Sequence, residues 1–280
     1  MVAIALLIVA AARPQFGVDI EELSARGVDL FVVLDVSRSM LAEDVKPNRL
    51  ERAKSDILDL MTKLEGDRVG LVVFAGAPVV QVPLTTDQGF FKMMLEDVDT
   101  SSAPRGGTLI GDAIRAALRS MEPRADRDQA IVLITDGEDQ DSFPEEAARN
   151  AAERNCRIIT VGLGDVSEGA RIPQRSEDGS LTFQQYEGKV RWSKMDESLL
   201  EEIATTTRGA YVPAQTLSYD LGQIYDDELV KLTQGEIQAE KRKRFREQFQ
   251  WFGGIGLVLL LTEMMVPAYG KQDESPEVTE

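Results

Sequence analysis

Four near-continuous apolar runs constrain this chain more than any other feature: "DLFVVLD" (29–35), "RVGLVVFA" (68–75), "QAIVLITD" (129–136) and "CRIITVGLG" (156–164). A strand wetted on one side alternates apolar and polar residues, whereas a strand without a polar face is covered on both sides. Such strands belong in the middle of a parallel sheet, and the segments between them have helical spacing. In "NRLERAKSDILDLMTKL" (48–64), Leu50, Ala53, Ile57, Leu60, Met61 and Leu64 make one apolar stripe, and Asn48 with Glu51 reads as a capping pair. Further helices are expected over 87–98, 109–121, 144–155 and 196–206. Pro83 in "VVQVPLT" (79–85) lacks the N–H that an interior strand needs, so this run belongs at an edge. "GAYVPA" (209–214) closes the sheet. The expected class is α/β: a doubly wound, mostly parallel sheet with helices on both faces.

Residues 166–193 break the alternation. Turn residues at Asp178 and Gly179, flanked by alternating positions, predict a small hairpin inserted beside the sheet. From Tyr219 to Gln248 the chain reads as a long charged helix. Residues 1–12, "MVAIALLIVAAA", are uncharged but shorter than the roughly 20 residues a bilayer requires. They read as the end of a membrane helix, or as a signal-peptide core without a basic segment before it. "FQWFGGIGLVLLLTEMMVP" (249–267) reads as a transmembrane helix, with Phe249, Trp251 and Phe252 as an interfacial belt. The expected layout is a partial membrane helix (1–12), a linker (13–27), the α/β domain (28–235), a charged juxtamembrane helix (236–248), the transmembrane helix (249–267) and a disordered tail (268–280).

The formal charge of −17 offers no basic field for nucleic acid. The chain has no histidine, which excludes Ser-His-Asp and Cys-His catalysis and imidazole ligation of zinc. Cys156 is the only cysteine, so no intrachain disulfide forms, and its apolar context suits a small buried hydrophobe.

Ligands of a doubly wound sheet bind at the carboxyl ends of its strands. Asp35, Ser37 and Ser39 follow the first run, Thr108 lies in "PRGGTLIGDAI", and Asp136 ends "IVLITD". Along an extended segment every second side chain faces one way, which would set Ser37 and Ser39 beside Asp35. Gly106 and Gly107 let the backbone turn so that Thr108 points inward. Carboxylates and hydroxyls without sulfur or imidazole suit a hard cation, Mg²⁺ or Mn²⁺. Arg38 and Arg105 flank these segments and would screen the rim against an acidic ligand. The alternative is a metal-dependent phosphotransferase or hydrolase with Asp35 as acceptor. That chemistry usually wants a second acid two residues on, where Ser37 stands.

D-x-S-x-S after an apolar strand, a threonine after Gly-Gly and T-D-G at a later strand end resemble the metal-ion-dependent adhesion site (MIDAS) of von Willebrand factor A (VWA) domains. The resemblance covers residues 28–235 and implies a Rossmann-like VWA fold with no catalytic residue. Ser37, Ser39 and Thr108 would then give hydroxyl contacts, and Asp35 and Asp136 would act directly or through waters. A partner's Asp or Glu would complete the coordination. "DVSRSMLAEDVKPNRLERAK", the flanking "ARPQ" and the terminal apolar span are similar to Bat-type (aerotolerance-associated) bacterial membrane proteins. That likeness implies the bacterial inner membrane, a MoxR-type AAA+ ATPase and other VWA membrane proteins as partners. Lys241, Arg242, Lys243, Arg244 and Arg246 precede the apolar span and only Lys271 closely follows it, which places the domain in the cytoplasm by the positive-inside rule. A periplasmic domain is the alternative.

Overall fold

The computed structural model describes residues 15–20, 27–64, 66–122, 127–175, 180–186, 188–215, 221–225, 243–247, 254–255, 257–259 and 261–262. It divides into a unit of Ser24–Ile237 and a terminal unit of Met1–Leu23 with Gln238–Glu280. In the terminal unit β1 (Gln15–Ile20) pairs antiparallel with a strand at Lys243–Glu247.

In the larger unit the apolar runs become β2 (Gly27–Asp35), β3 (Arg68–Phe74), β5 (Arg127–Thr135) and β6 (Cys156–Leu163). The run with Pro83 is β4 (Pro78–Thr85), an edge strand antiparallel to β3. Sheet order is β13-β6-β5-β2-β3-β4, where β13 (Tyr211–Gln215) lies parallel to β6 at the other edge. β2 therefore sits inside the sheet, paired in parallel with β3 and β5, and Leu30 to Leu34 have no exposure at all.

Its side chains alternate between two cores. Leu30, Val32 and Leu34 face α1 (Arg49–Met61) and α2 (Gln88–Glu96), packing with Ile57, Leu60 and Phe91. Phe31 and Val33 face α3 (Ile110–Ser120), α4 (Pro144–Glu153) and α5 (Glu197–Thr206), packing with Ile114, Ala148 and Ile203. Each such side chain contributes about 1.5–3 kcal/mol of burial, which fixes the register of β2 and with it the level at which Asp35 leaves the sheet. All six residues of the stripe predicted on 48–64 are buried, and Asn48 accepts the Glu51 N–H at 2.8 Å. Cys156 is buried among apolar residues, and burial pushes its thiol up to about 12.

The interruption at 166–193 is a set of two-stranded antiparallel pairs. β7 (Ala170–Arg171) joins β12 (Trp192–Ser193), β8 (Pro173–Arg175) joins β9 (Leu181–Phe183), and β10 (Gln185–Tyr186) joins β11 (Lys189–Val190). The turn at Asp178 and Gly179 lies outside the described residues.

The long charged helix is a correction. Within 219–248 the described residues form the short helix α6 (Leu221–Tyr225) and the strand β14 (Lys243–Glu247). A helix this polar has no apolar stripe to bury, whereas pairing with β1 gives the backbone groups of β14 their partners. The expected segments 1–12 and 268–280 lie outside the described residues, as does most of 249–267. Among the described residues no helix is long and apolar enough to cross a membrane.

Candidate metal centre

Parallel pairing brings the carboxyl ends of β2, β3 and β5 to one side of the sheet. Val36 N–H donates to the Phe74 carbonyl at 2.8 Å, extending the ladder one residue beyond Asp35. The chain then turns. Ser37 is extended (φ −61°, ψ 161°), but Ser39 lies in a one-turn 3-10 helix, Arg38–Leu41. The alternation predicted for this segment therefore ends at Ser37. The turn still places the Ser37 and Ser39 hydroxyl oxygens 2.8 Å apart.

Thr108 is positioned by backbone contact between two loops. Gly76 N–H donates to the Arg105 carbonyl and Leu109 N–H to the Ala75 carbonyl, each at 2.9 Å. A Cβ on Gly76 would lie 2.1 Å from the Gly106 carbonyl oxygen, so only glycine allows this approach. Gly107 has φ +118°, a conformation that favours glycine, at the turn expected to bring Thr108 inward.

Asp136 follows β5, where its carbonyl accepts the Asp196 N–H at 2.9 Å. Asp35 and Asp136 are both fully buried. Asp35 Oδ1 accepts from Ser37 N–H at 2.8 Å and Oδ2 from the Thr135 hydroxyl at 2.6 Å. Ser37, Ser39 and Thr108 line a cavity of about 250 Å³ together with Gln140, Gln184 and Arg191. The two carboxylates stand behind the hydroxyls and are not among the lining residues.

Burial, and then the neighbouring Asp136 charge, push the Asp35 carboxyl up to about 7. A buried acid pair of this kind calls for a proton or a cation. The donor set is oxygen only, and it fits a hard divalent ion. Among the described residues no three acidic, cysteine or histidine side chains converge on one point, so a cation here has to use the hydroxyls.

Arg49 was not singled out in the sequence. It is wholly buried beneath this site. Its Nε and Nη2 grip Asp44 at 2.9 and 2.6 Å, and Nη1 donates to Asp136 Oδ2 at 3.0 Å and to Ser193 Oγ at 2.9 Å. Ser193 in turn donates to Asp136 Oδ2 at 3.1 Å. Burial alone would lower the Arg49 pKa, but Asp44 and then Asp136 hold it above its ordinary value. Gly164 (φ +121°) makes room for the guanidinium, since a Cβ there would lie 2.5 Å from Arg49 Cζ.

Of the two arginines placed on the rim, Arg38 lines the cavity. Arg105 is exposed and is not a lining residue; its contribution is the carbonyl that holds Gly76. A second arginine that lines the cavity, Arg191, comes from the inserted hairpins and pairs with Glu138 at 3.0 Å. The acidic run after Asp136 is more than a solvated loop. Asp139 accepts the Ile110 N–H at 2.9 Å at the start of α3, and Glu138 holds Arg191.

The profile of the von Willebrand factor type A domain matches residues 30–138, which contain all five predicted ligands. BatB from Bacteroides thetaiotaomicron is 36% identical, aligned over 76% of this chain and 100% of that one, with a TM-score of 0.67. The chain belongs to the Bat-type VWA proteins. An aerotolerance-related membrane protein from Bacteroides fragilis is also 36% identical over 76% of this VWA chain and 100% of its own, with a TM-score of 0.65. An uncharacterized protein of Borreliella burgdorferi is 33% identical over 66% of this chain, which spans 53% of that relative's length. The proximal thread matrix protein of the mussel byssus, described with a zinc-occupied MIDAS motif, shares only the fold at 19% identity and a TM-score of 0.51, over 77% of this chain and 46% of its own. The six-stranded sheet and its two helical layers are thus those of a VWA domain, and Arg191, Gln184 and Ser193 lie in hairpins inserted between β6 and α5.

Proposed function

We propose that this VWA domain is a protein-interaction module. It holds Mg²⁺ or Mn²⁺ at Ser37, Ser39 and Thr108, backed by Asp35 and Asp136, and engages a carboxylate of a partner protein through that ion. The observation that carries this reading is the layering of the site, with three hydroxyls on an open cavity and two fully buried carboxylates behind them. The bound ion would supply positive charge and an exchangeable coordination position. The chain's own residues provide the rest. Arg49 and Ser193 occupy Asp136 Oδ2 and fix the orientation of that carboxylate, while Thr135 and Ser37 N–H do the same for Asp35.

Asp35 as a phosphoryl acceptor is disfavoured, because a nucleophile must reach its substrate and this carboxylate has no exposure. The partners we propose are a MoxR-type AAA+ ATPase and other VWA membrane proteins, in complex assembly or stress tolerance at the bacterial inner membrane. Anchoring through 249–267 is supported by the exposed side chains of Ile255, Leu257, Val258, Leu259 and Leu261. The basic cluster before that segment favours a cytoplasmic domain.

Calorimetric titration with MgCl₂ tests the site. Wild type binds one equivalent and Asp35→Ala none. The organism's purified MoxR-type ATPase, pulled down with Mg²⁺ and released by EDTA, would support the partner; retention in EDTA would count against the cation bridge.

A further inference from the structure

Next to the metal-site cavity lies a second one, of about 490 Å³, and the two share Arg38, Ile172 and Gln184 as lining residues. They are two parts of one groove. In the second part Leu41, Ile172, Pro173 and Leu181 make an apolar wall, opposed by Glu43, Asn48, Thr100 and Gln174, and Leu181 is 65% exposed. At the junction stands Gln184, whose backbone is fully used. Its N–H donates to the Ile172 carbonyl at 2.9 Å, and its carbonyl accepts the Arg191 N–H at 2.8 Å. Its side-chain Oε1 is buried without a hydrogen-bond partner among the described residues.

We propose that this groove takes an extended peptide segment of a partner protein, in which an acidic residue has an apolar residue two positions away. The proposal rests on the metal-site reading above and names the ligand class of that site. In an extended segment, side chains two apart face the same way, so one can enter the hydroxyl-lined cavity while the other meets Leu181. A buried acceptor without a donor is costly, and when the half-buried Gln184 amide turns toward the groove a peptide N–H between the two side chains supplies that donor. A primary amide pairs with a peptide group whichever way it is turned, so Gln184 suits a backbone better than a lone ion or carboxylate. Arg38 and Arg191 line the acid-binding part and complement the charge of the ligand. The second part has the apolar wall, which gives the segment a direction as well as a charge.

Two heptapeptides on a glycine scaffold test this with the full chain in MgCl₂. One carries a single central aspartate; the other adds leucine two positions before and two after it. The leucine peptide is expected to bind about 10-fold more tightly to wild type, Leu181→Asp to remove most of that gain, and Gln184→Leu to weaken both peptides. Mg²⁺ binding is measured alongside by calorimetry. Equal affinities of the two peptides in wild type would overturn the groove while leaving the cation site standing. A gain that survives Leu181→Asp, unchanged affinity of both peptides for Gln184→Leu, or a gain that persists when asparagine replaces the aspartate also overturns it. Failure of Mg²⁺-loaded wild type to bind either peptide overturns the carboxylate reading and the groove together.

Discussion

Arg49 Nη1 donates to Asp136 Oδ2 at 3.0 Å, and neither side chain has any exposure to solvent. Removing one member of such a pair leaves an uncompensated charge in the interior, a loss of about 3–5 kcal/mol. Arg49→Leu also takes the guanidinium away from Asp44 and Ser193. We expect its urea midpoint to fall by that equivalent, and Arg49→Lys to recover only part, since an ammonium cannot grip Asp44 with two nitrogens and still reach Asp136. An unchanged midpoint in Arg49→Leu would refute the pairing.

Asp35 is expected to behave in the opposite sense. Its folded pKa of about 7 lies above the ordinary 3.8, so the folded chain holds the proton more tightly than the unfolded chain does. Without a cation, the stability this proton provides is complete below about pH 4 and is lost as pH rises through about 7. Asp35→Asn relieves the repulsion. In EDTA at pH 8 it should melt above wild type, by roughly 2–4 °C per kcal/mol relieved. It should gain nothing from MgCl₂, which raises the wild-type melting temperature. Stabilisation of the variant by MgCl₂ would sink the assignment of Asp35.

Gly76→Ala tests the loop contact that positions Thr108. The new methyl would meet the Gly106 carbonyl at 2.1 Å, and backbone has to shift. Mg²⁺ affinity should fall by about 10-fold or more while the far-UV circular dichroism stays that of wild type. Thr108→Val, which leaves both loops alone, should lower the affinity in the same direction. Gly76→Ala with wild-type affinity would show that the Gly-Gly loop does not set the site.

At the opposite end of β2, Asp29 is wholly buried between Arg68 and Arg127, with Arg127 Nε at 2.6 Å. Burial would raise its carboxyl, but hydrogen bonds and charge from Arg68 and Arg127 hold it below the usual carboxylate range. The stability this confers is present above the ordinary carboxylate pKa and is lost as pH falls through the folded value. Asp29→Asn should be less stable than wild type at pH 7, and the gap should narrow as the pH is taken below 4 in a series of thermal melts. A gap independent of pH would show that the charge of Asp29 is immaterial.

The sheet was legible because burial on both faces leaves a run of apolar residues with no polar face, and β2, β3, β5 and β6 each have one. The oxygen donors were legible for a related reason: Asp35 and Asp136 end such runs, where a carboxylate has no packing role. Arg49 was not. It opens an amphipathic helix, where an arginine normally lies in water, and nothing local marks it as buried. Its partners Asp136 and Ser193 stand 87 and 144 residues away. Gln184 and Arg191 were hidden in the same way, in short hairpins with little burial to impose a pattern. β14 was misread because charge alone distinguishes neither helix from strand; the pairing with β1 decides it.

Ser193 belongs to the inserted hairpins, and its hydroxyl bonds both Arg49 and Asp136. The roots of the insertion are thereby tied to the charge balance of the interior, while its outer strands, with Leu181 exposed, are tied to little. The length and chemistry of the hairpin tips can therefore vary without disturbing the buried carboxylates beneath. A change at the roots would be felt first in folding and only afterwards in binding.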